Sequence, residues 1–398
     1  MTPHPKWANA SIQRRLHWKA RDAFLAKPAR HRPKGKTPVV AGFFRTASGV
    51  GEGARAQVAA MKQQAREPTC VDVSEMFDQI DQDAAWELSA LPEDRDGLLY
   101  LHANAPETER ALFELGMFRP KRWYTVGVWA WELSKAPTTW RRPSKLLSQI
   151  NVPSSFVAES LQGIVTAPVN VVPHAVEVDT NDWSEARSIY RASIGLTESN
   201  VVCLAMADGR SSLYRKNLLG AIDAFERSRS EQRDAHLVIK TRNLDTNHQI
   251  GKQIIDRAQT SDQIHLINEN LSTYERNTLL AASDIFLSPH RSEGFGLALA
   301  EAMAHGKPVI ATGWSGNTDF MTSETSVLIG SVLTSVDDPT GIYTGTNSPS
   351  GAQWAEPDMH AFSDALTGLL GKADRRHTIG SRAKTHIGQV LSPASIQY

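Results

Sequence analysis

A chain of 398 residues is too long for one ordinary hydrophobic core, and length alone predicts two or three domains. With 41% hydrophobic and 22% charged residues it has the balance of a soluble globular protein, and a net charge of zero gives whole-chain electrostatics no reason to select nucleic acid. Cys70 and Cys203 lie far apart, which excludes a disulfide framework or a zinc motif and suits a reducing cytoplasm; no apolar run approaches the ~18 residues of a membrane span, and no secretory signal is visible.

Residues 1–36 form a basic N-terminal extension, with ten Lys or Arg against one acid, Asp22. Ile12, Leu16, Ala20 and Phe24 recur at helical spacing, with Trp7 and Trp18 nearby. That pattern suits either a helix lying in an anionic membrane surface or a solvated extension packed on the body of the protein. The first reading places the protein in the cytoplasm as a peripheral protein at the inner face of the membrane.

From Thr37 the pattern becomes an alternation. "TPVVAGFF" reads as a buried strand, "RTASGVGEGAR" as a Gly-rich turn and "GARAQVAAMKQQA" as a helix. "PTCVDV", "GLLYLHAN", "RWYTVGVWAWE" and "VNVVPHAV" are further strands with helical patterns between most of them. Residues 177–199 are more polar and read as a connection with room for a short helix. The alternation then restarts with "NVVCLAMAD", "HLVIKT", "QIHLIN", "DIFLSP" and "KPVIAT". Short apolar strands alternating with helices predict parallel sheets covered on both faces. The expected organisation is an α/β domain over 37–176, the connection, a second α/β domain over 200–385 and a tail over 386–398. Ligands of such sheets bind beyond the carboxyl ends of the strands, so the functional cleft is expected between the domains.

"HRSEGFGLALAEAMAHGKPVI" carries the most chemistry. The helix beginning near Gly296 is apolar on nearly every side and should be buried all round, yet it holds a carboxylate, Glu301. Burying that group costs several kcal/mol unless something meets it. Glu293 precedes the helix, and seven residues separate the two acids. Gly294 and Gly296 allow close approach of a ligand to the backbone, and the first-turn amides favour an anion. A ligand with phosphate in the middle and hydroxyls at both ends, such as a nucleotide sugar, fits these groups. The alternative is a Glu301 satisfied by backbone amides.

A second motif is "ADGRSSLYRKNLLGAIDAF". Arg210 and Lys216 precede an amphipathic helix, where cations oppose the macrodipole and contribute little to stability. A polyanion between them removes the conflict, and two cations with a helix N-terminus would neutralise a diphosphate leaving group without a metal. Solvated loop charges are the alternative.

Together, the Glu–seven residues–Glu spacing in "SEGFGLALAEAMAHGKPVIAT", the upstream "RKN" and the downstream "GWSGNTDF" closely resemble glycosyltransferase family four. The resemblance is specific over 200–385, looser over 38–176 and absent over 1–36. It implies a GT-B fold of two Rossmann-like doubly wound domains and a retaining, nucleotide-sugar-dependent hexosyltransferase, with no cofactor and no metal. It also implies that Glu293 contacts the donor sugar, Glu301 the ribose, and Arg210 and Lys216 the diphosphate, helped by backbone amides of Phe295, Gly296 and Leu297. Gly49 and Gly51 match the family's first-strand glycine loop, which faces the donor phosphates.

One region departs from that family. Many members place a His after the fourth strand, where this chain reads "VGVWAWELSK". His102 and His174 are candidate substitutes, or core histidines. Trp129, Trp131, Glu132 and His102 are candidate acceptor contacts, although a core role suits the tryptophans equally well. The resemblance supplies no carboxylate nucleophile at the anomeric carbon, which favours same-face substitution over double displacement. "DQD" (Asp81–Asp83) reads as a solvated acidic face. The basic extension suggests a lipid-linked or glycan acceptor and a place in polysaccharide biosynthesis. Rival readings are an NAD enzyme, for which Gly49-x-Gly51-x-Gly53 and Asp72 are a weak signal, a nucleotide-sugar epimerase of the same fold, and a non-catalytic nucleotide-sugar-binding partner.

Overall fold

The computed structural model describes residues 24–81, 86–228, 234–245, 248–345 and 348–398. The proposed surface helix of the N-terminal extension and Gln82–Asp83 of "DQD" lie outside them. The chain forms two compact units. One takes the described residues up to Trp129 with Trp140–Asn151 and Val165–Asn170; the other takes Ala130–Thr139, Val152–Ile164 and Val171–Tyr398.

The first unit is built on β1 (Pro38–Gly42), α1 (Gly49–Gln63), β2 (Thr69–Asp72), β3 (Leu98–Leu101), α2 (Ala105–Glu114), β4 (Tyr124–Val128), α3 (Arg141–Ser144) and β5 (Gln149–Val152). After α4 (Ser155–Ser160), β6 (Val169–Val171) completes a six-stranded sheet in the order β2-β1-β3-β4-β5-β6, with the pairs from β2 to β5 parallel. Val39, Val40 and Ala41 are buried on both faces of β1, as a parallel sheet covered by helices requires. The sequence pattern missed β5, because "QINV" is a four-residue run with only two strong apolar positions. It also began α1 too late. Ser48 caps the helix by accepting from the Gly51 amide at 3.2 Å, so the Gly-rich stretch is its first turn.

The second unit, which already holds α4, continues with α5 (Ser184–Ser193), inside the stretch expected to be a connection. Arg191 is buried there and donates to the Ala282 carbonyl and, at 2.7 Å, to Asp284, which ties the polar segment into this unit. The alternation follows as β7 (Val201–Met206), α6 (Leu213–Lys216), α7 (Leu218–Ser228), β8 (Ala235–Thr241), α8 (Gln249–Gln259), β9 (Ile264–Asn268), α9 (Thr273–Ala282), β10 (Ile285–Ser288), α10 (Leu297–Ala304), β11 (Val309–Thr312) and β12 (Val327–Ile329). These strands form a parallel sheet in the order β12-β11-β10-β7-β8-β9. An antiparallel hairpin, β13 (Ser331–Ser335) and β14 (Gln353–Pro357), precedes α11 (Met359–Leu370) and α12 (Ala373–Val390). Thus α12 runs into the residues expected to be a tail. One side of this sheet packs Leu237, Ile239, Ile285 and Leu287 against Phe225 of α7 and Phe362 of α11. Each unit is therefore a Rossmann-like α/β domain. Among the described residues no helix is long and apolar enough to cross a membrane.

Candidate functional site

The loop from β10 to α10 is held by backbone and side-chain bonds at almost every residue. Buried His290 places Nε2 3.1 Å from Asn317 Oδ1, and the Asn317 amide donates to the Thr312 carbonyl at 3.0 Å. Arg291 forms a two-point pair with Glu356 at 2.6 and 2.8 Å and lies over the Tyr214 ring. Ser292 donates to the Glu132 carbonyl. The Glu293 amide donates to Ser315 Oγ at 2.8 Å. A loop so constrained presents the Glu293 carboxylate in one position.

That carboxylate is 6% exposed and meets Lys216 Nζ at 2.5 Å and Arg215 Nη1 at 3.4 Å. Burial opposes its ionisation, but the Coulombic pull of Lys216 and then Arg215 wins and holds its pKa down at about 2. Both cations come from α6, a single turn capped by Ser212, which accepts from the Arg215 amide. Asn217 then takes a left-handed conformation and donates to the Pro289 carbonyl at 2.8 Å, fixing the α6–α7 corner to the end of β10. Lys216 keeps 22% of its side chain exposed, whereas Arg215 is buried and donates to the Ser292 carbonyl at 2.6 Å and to Ser211 Oγ at 2.7 Å.

Sequence reasoning named Arg210 and Lys216 and missed Arg215. Arg210 is exposed, and its amide donates to Asp208 Oδ1 at 3.0 Å. The cation beside Lys216 is its immediate neighbour. The "RKN" run contained the signal, but an Arg within a helical turn has no local mark that distinguishes it from a surface residue. The conflict between these cations and a helix terminus is met inside the protein, in part, by Glu293.

Gly296, at φ +96°, precedes α10 and leaves its first turn without a side-chain cap. Leu297 and Ala298 are partly exposed there, so their amides open the anion-favouring end of the helix. Phe295 is buried, with its ring against Phe320 and His174 at 5.1 Å each. The two loop glycines differ in purpose. A Cβ on Gly294 would lie 2.7 Å from the Trp131 carbonyl oxygen, so this position serves backbone packing rather than ligand approach.

Helix α10 is not buried all round. Leu297, Glu301 and His305, spaced by four, form a partly exposed stripe. Glu301 keeps 20% of its side chain exposed and places its carboxylate 3.5 Å from Arg276 of α9. The group that meets the carboxylate is therefore an arginine on the neighbouring helix.

The candidate acceptor residues divide between the units. Trp129 is fully buried in the first unit, donates to Thr108 Oγ1 at 3.0 Å and packs edge-on against Trp140, so no face of its ring is open to a sugar. His102 is buried, with Nε2 2.7 Å from Gln57 Oε1. Trp131 and Glu132 belong to the second unit. The Trp131 indole donates to the Lys135 carbonyl at 2.7 Å and meets Tyr343 edge-on. Glu132 is half-buried and accepts from the Tyr343 hydroxyl at 3.2 Å. His174 sits beside Phe295, where burial lowers its pKa to about 4.

Gly49 and Gly51 both lie in the first turn of α1. Asp72, the residue an NAD enzyme would use on ribose, instead accepts from the Phe44 amide at 3.0 Å and the Ser74 hydroxyl at 2.7 Å. Among the described residues no group of three or more His, Cys, Asp or Glu is placed to hold a metal ion.

Comparison with known proteins follows this geometry. Residues 201–345 match the family model for glycosyl transferases, group 1. An MMP alpha-(1->4)-mannosyltransferase of Mycolicibacterium hassiacum is 29% identical over 165 residues, which is 41% of this chain but only 36% of that protein. HepE of Anabaena, solved with UDP and glucose, superposes with a TM-score of 0.63 over 90% of this chain and 96% of its own, at 13% identity. WaaG, a glycosyltransferase involved in lipopolysaccharide biosynthesis, gives 0.61 over 90% and 97% at 15% identity. The fold is that of the GT-B glycosyltransferases.

Proposed function

We propose that this chain, whose residues 201–345 form a group 1 glycosyltransferase domain, moves a hexose from a GDP- or UDP-linked sugar to a glycan or lipid-linked acceptor with retention of anomeric configuration. The observation that carries the proposal is the cluster at the mouth of α10. There Glu293, Lys216 and Arg215 stand together, and Glu301 lies about one turn into that helix.

In this reading Lys216 and Arg215, with the α10 amides, receive the diphosphate and stabilise its charge as it leaves. Arg210, exposed in the loop before α6, is proposed to add a third cation. Glu293 accepts from donor-sugar hydroxyls and Glu301 from the ribose. A carboxylate held near pKa 2 by two cations is a poor nucleophile and a poor base. The leaving oxygen is then the better base for the incoming acceptor hydroxyl, which is same-face substitution without a covalent enzyme intermediate. The charge of the leaving group is met by side chains and amides, so the reaction is proposed to be metal-independent. The basic extension over residues 1–36 is proposed to bring the enzyme to an anionic membrane surface where a lipid-linked acceptor lies.

The test is a panel of UDP-, GDP- and ADP-sugars, followed for nucleotide release and product anomer with and without EDTA. Release from one donor class, insensitive to EDTA and with retention, is the expected result. Conversion of the donor to an isomer without transfer would indicate an epimerase. Binding without release in the presence of candidate acceptors would indicate a non-catalytic partner. No nucleotide binding at all would remove Glu293 and Glu301 from any donor site.

A further inference from the structure

The carboxyl end of β8 holds a lysine that the proposed chemistry does not use. Leu237 and Ile239 of β8 face the core shared with α7 and α11, and strand alternation turns Lys240 to the opposite face. Lys240 is 9% exposed, yet among the described residues its ammonium makes no hydrogen bond and no ion pair. A lysine so enclosed, with no protein acceptor for its ammonium, is costly, and a methionine of similar length would fill the space without the cost.

Its neighbours do not relieve it. Arg242 is paired with Asp208 at 2.5 Å and Arg276 with Glu301 at 3.5 Å. Burial first, and then the repulsion of Arg242, lower the Lys240 pKa, against partial compensation from Asp208 and Glu269. The fold thus keeps a nearly enclosed hydrogen-bond donor at the carboxyl end of a parallel strand, where ligands of such sheets bind, without supplying an acceptor from the described residues.

We infer that Lys240 reads the base of the donor nucleotide, donating to a ring carbonyl oxygen of uracil or guanine. The inference rests on the proposed donor site and on Glu301 as its ribose contact. Glu301 stands five residues beyond Gly296 on α10, about 7 Å up the helix from the anion-favouring end. Arg276 touches Glu301 and acts electrostatically on Lys240, whereas the charges around Glu293 are Lys216, Arg215 and His290. Lys240 therefore lies within electrostatic reach of the Arg276–Glu301 pair, beside the ribose contact of the proposed site. There the ribose hydroxyls have a carboxylate acceptor, and the remaining strong acceptors of the nucleoside are base carbonyls. Adenine presents an amino donor where guanine has a carbonyl, and a lysine facing it would set donor against donor.

Titration calorimetry with UDP, GDP, ADP, 2′-deoxy nucleotides and pyrophosphate, on the wild-type protein and on K240M and K240Q, tests this. Wild type is expected to bind UDP or GDP at least about tenfold more tightly than ADP. K240M should lose about tenfold for the favoured nucleotide while ADP and pyrophosphate change less than about twofold, and K240Q, which keeps a donor, should recover part of the loss. A thermal melt establishes that each variant is folded; if K240M is not, K240Q against wild type carries the same comparison. Equal weakening of pyrophosphate would make Lys240 a phosphate contact and overturn the inference. So would a loss that vanishes with 2′-deoxy nucleotides, a wild-type preference for ADP, or unchanged affinities in both variants. Those outcomes leave the donor site standing. A wild type that binds no nucleotide removes the site and the inference together.

Discussion

Arg276 of α9 and Glu301 of α10 face each other at 3.5 Å, with 23% and 20% of their side chains exposed. A pair at such a margin contributes about 0–1 kcal/mol to stability. In the proposed donor site Glu301 also accepts from the ribose. Glu301→Ala should leave the unfolding free energy within about 1 kcal/mol of wild type, yet cost at least ~2 kcal/mol of transition-state stabilisation, roughly thirtyfold in kcat/KM for the donor. Denaturant unfolding and donor kinetics on the same preparation separate the two effects. Unchanged kinetics in a folded variant would exclude Glu301 from the donor site.

Lys216 and Arg215 share one carboxylate but differ in what they support. Lys216 is partly exposed, while Arg215 is buried and also holds the Ser292 carbonyl and Ser211. Lys216→Ala should lower turnover at least ~thirtyfold with a modest loss of stability. Arg215→Met leaves Glu293 with Lys216 alone and the Ser292 carbonyl without its donor, and should cost about 1–3 kcal/mol of stability in addition to activity. Urea midpoints and single-turnover rates for both variants check this. Equal destabilisation by the two would show that Arg215 does not anchor the loop.

What the sequence disclosed about this site was what lies within one loop and one helix. The Glu293–Glu301 spacing and Lys216 of "RKN" are local, so they could be read directly. Arg215 escaped because its role depends on Ser292, 77 residues away. Trp129 and Trp131 were read as open to either an acceptor or a core role, since an aromatic residue after a strand carries no record of how deeply its ring is buried. Trp129 proves wholly enclosed, and Trp131 packs within the second unit. The alternation of strands and helices was legible because parallel strands buried on both faces are continuous apolar runs. Strand β5 was not, because four residues with two strong apolar positions fall below that signal. Over 177–199 the polar pattern allowed a short helix, but not its anchoring by the buried Arg191, which depends on Ala282 and Asp284 far along the chain.

Acid should destabilise the protein in two stages. His174 and His305 have pKa values lowered to about 4, chiefly by burial, whereas an ordinary histidine in the unfolded chain titrates near 6.5. Below about pH 6.5 the unfolded state therefore binds more protons than the native state, and stability falls until about pH 4. Glu293, lowered to about 2, contributes stability present above its ordinary value of 4.5 and lost as pH falls from there towards 2. Urea midpoints across pH 7.5 to 2.5 should decline through both windows. His174→Gln and His305→Gln should each make the upper decline shallower, the rest of it coming from His236, His265 and His290, whose pKa values burial also lowers, and Glu293→Gln should make the lower one shallower. A midpoint constant between pH 6.5 and 4 in the wild type would show that the histidines are solvated.

Gly49 and Gly51 look equivalent in the sequence, yet they should respond oppositely to a methyl group. A Cβ on Gly51 would lie 2.5 Å from the Thr46 carbonyl oxygen and 2.6 Å from that of Phe43, both backbone atoms without room to retreat. Gly51→Ala must therefore displace the loop that Ser48 and the α1 N-terminus close, at a cost of about 1–3 kcal/mol. A Cβ on Gly49 meets nothing within 4 Å, and its φ is not positive, so Ala fits the helical backbone without strain. Gly49→Ala should leave stability unchanged or raise it by about 0.5 kcal/mol, through the entropy that alanine removes from the unfolded chain. If the family's glycine loop faces donor phosphates here, Gly49→Ala should weaken donor binding despite that gain, because the methyl group projects into open space beside the first-turn amides. Unfolding midpoints give the stability order, and donor KM for Gly49→Ala gives the role. An unchanged KM would make this turn a structural cap alone.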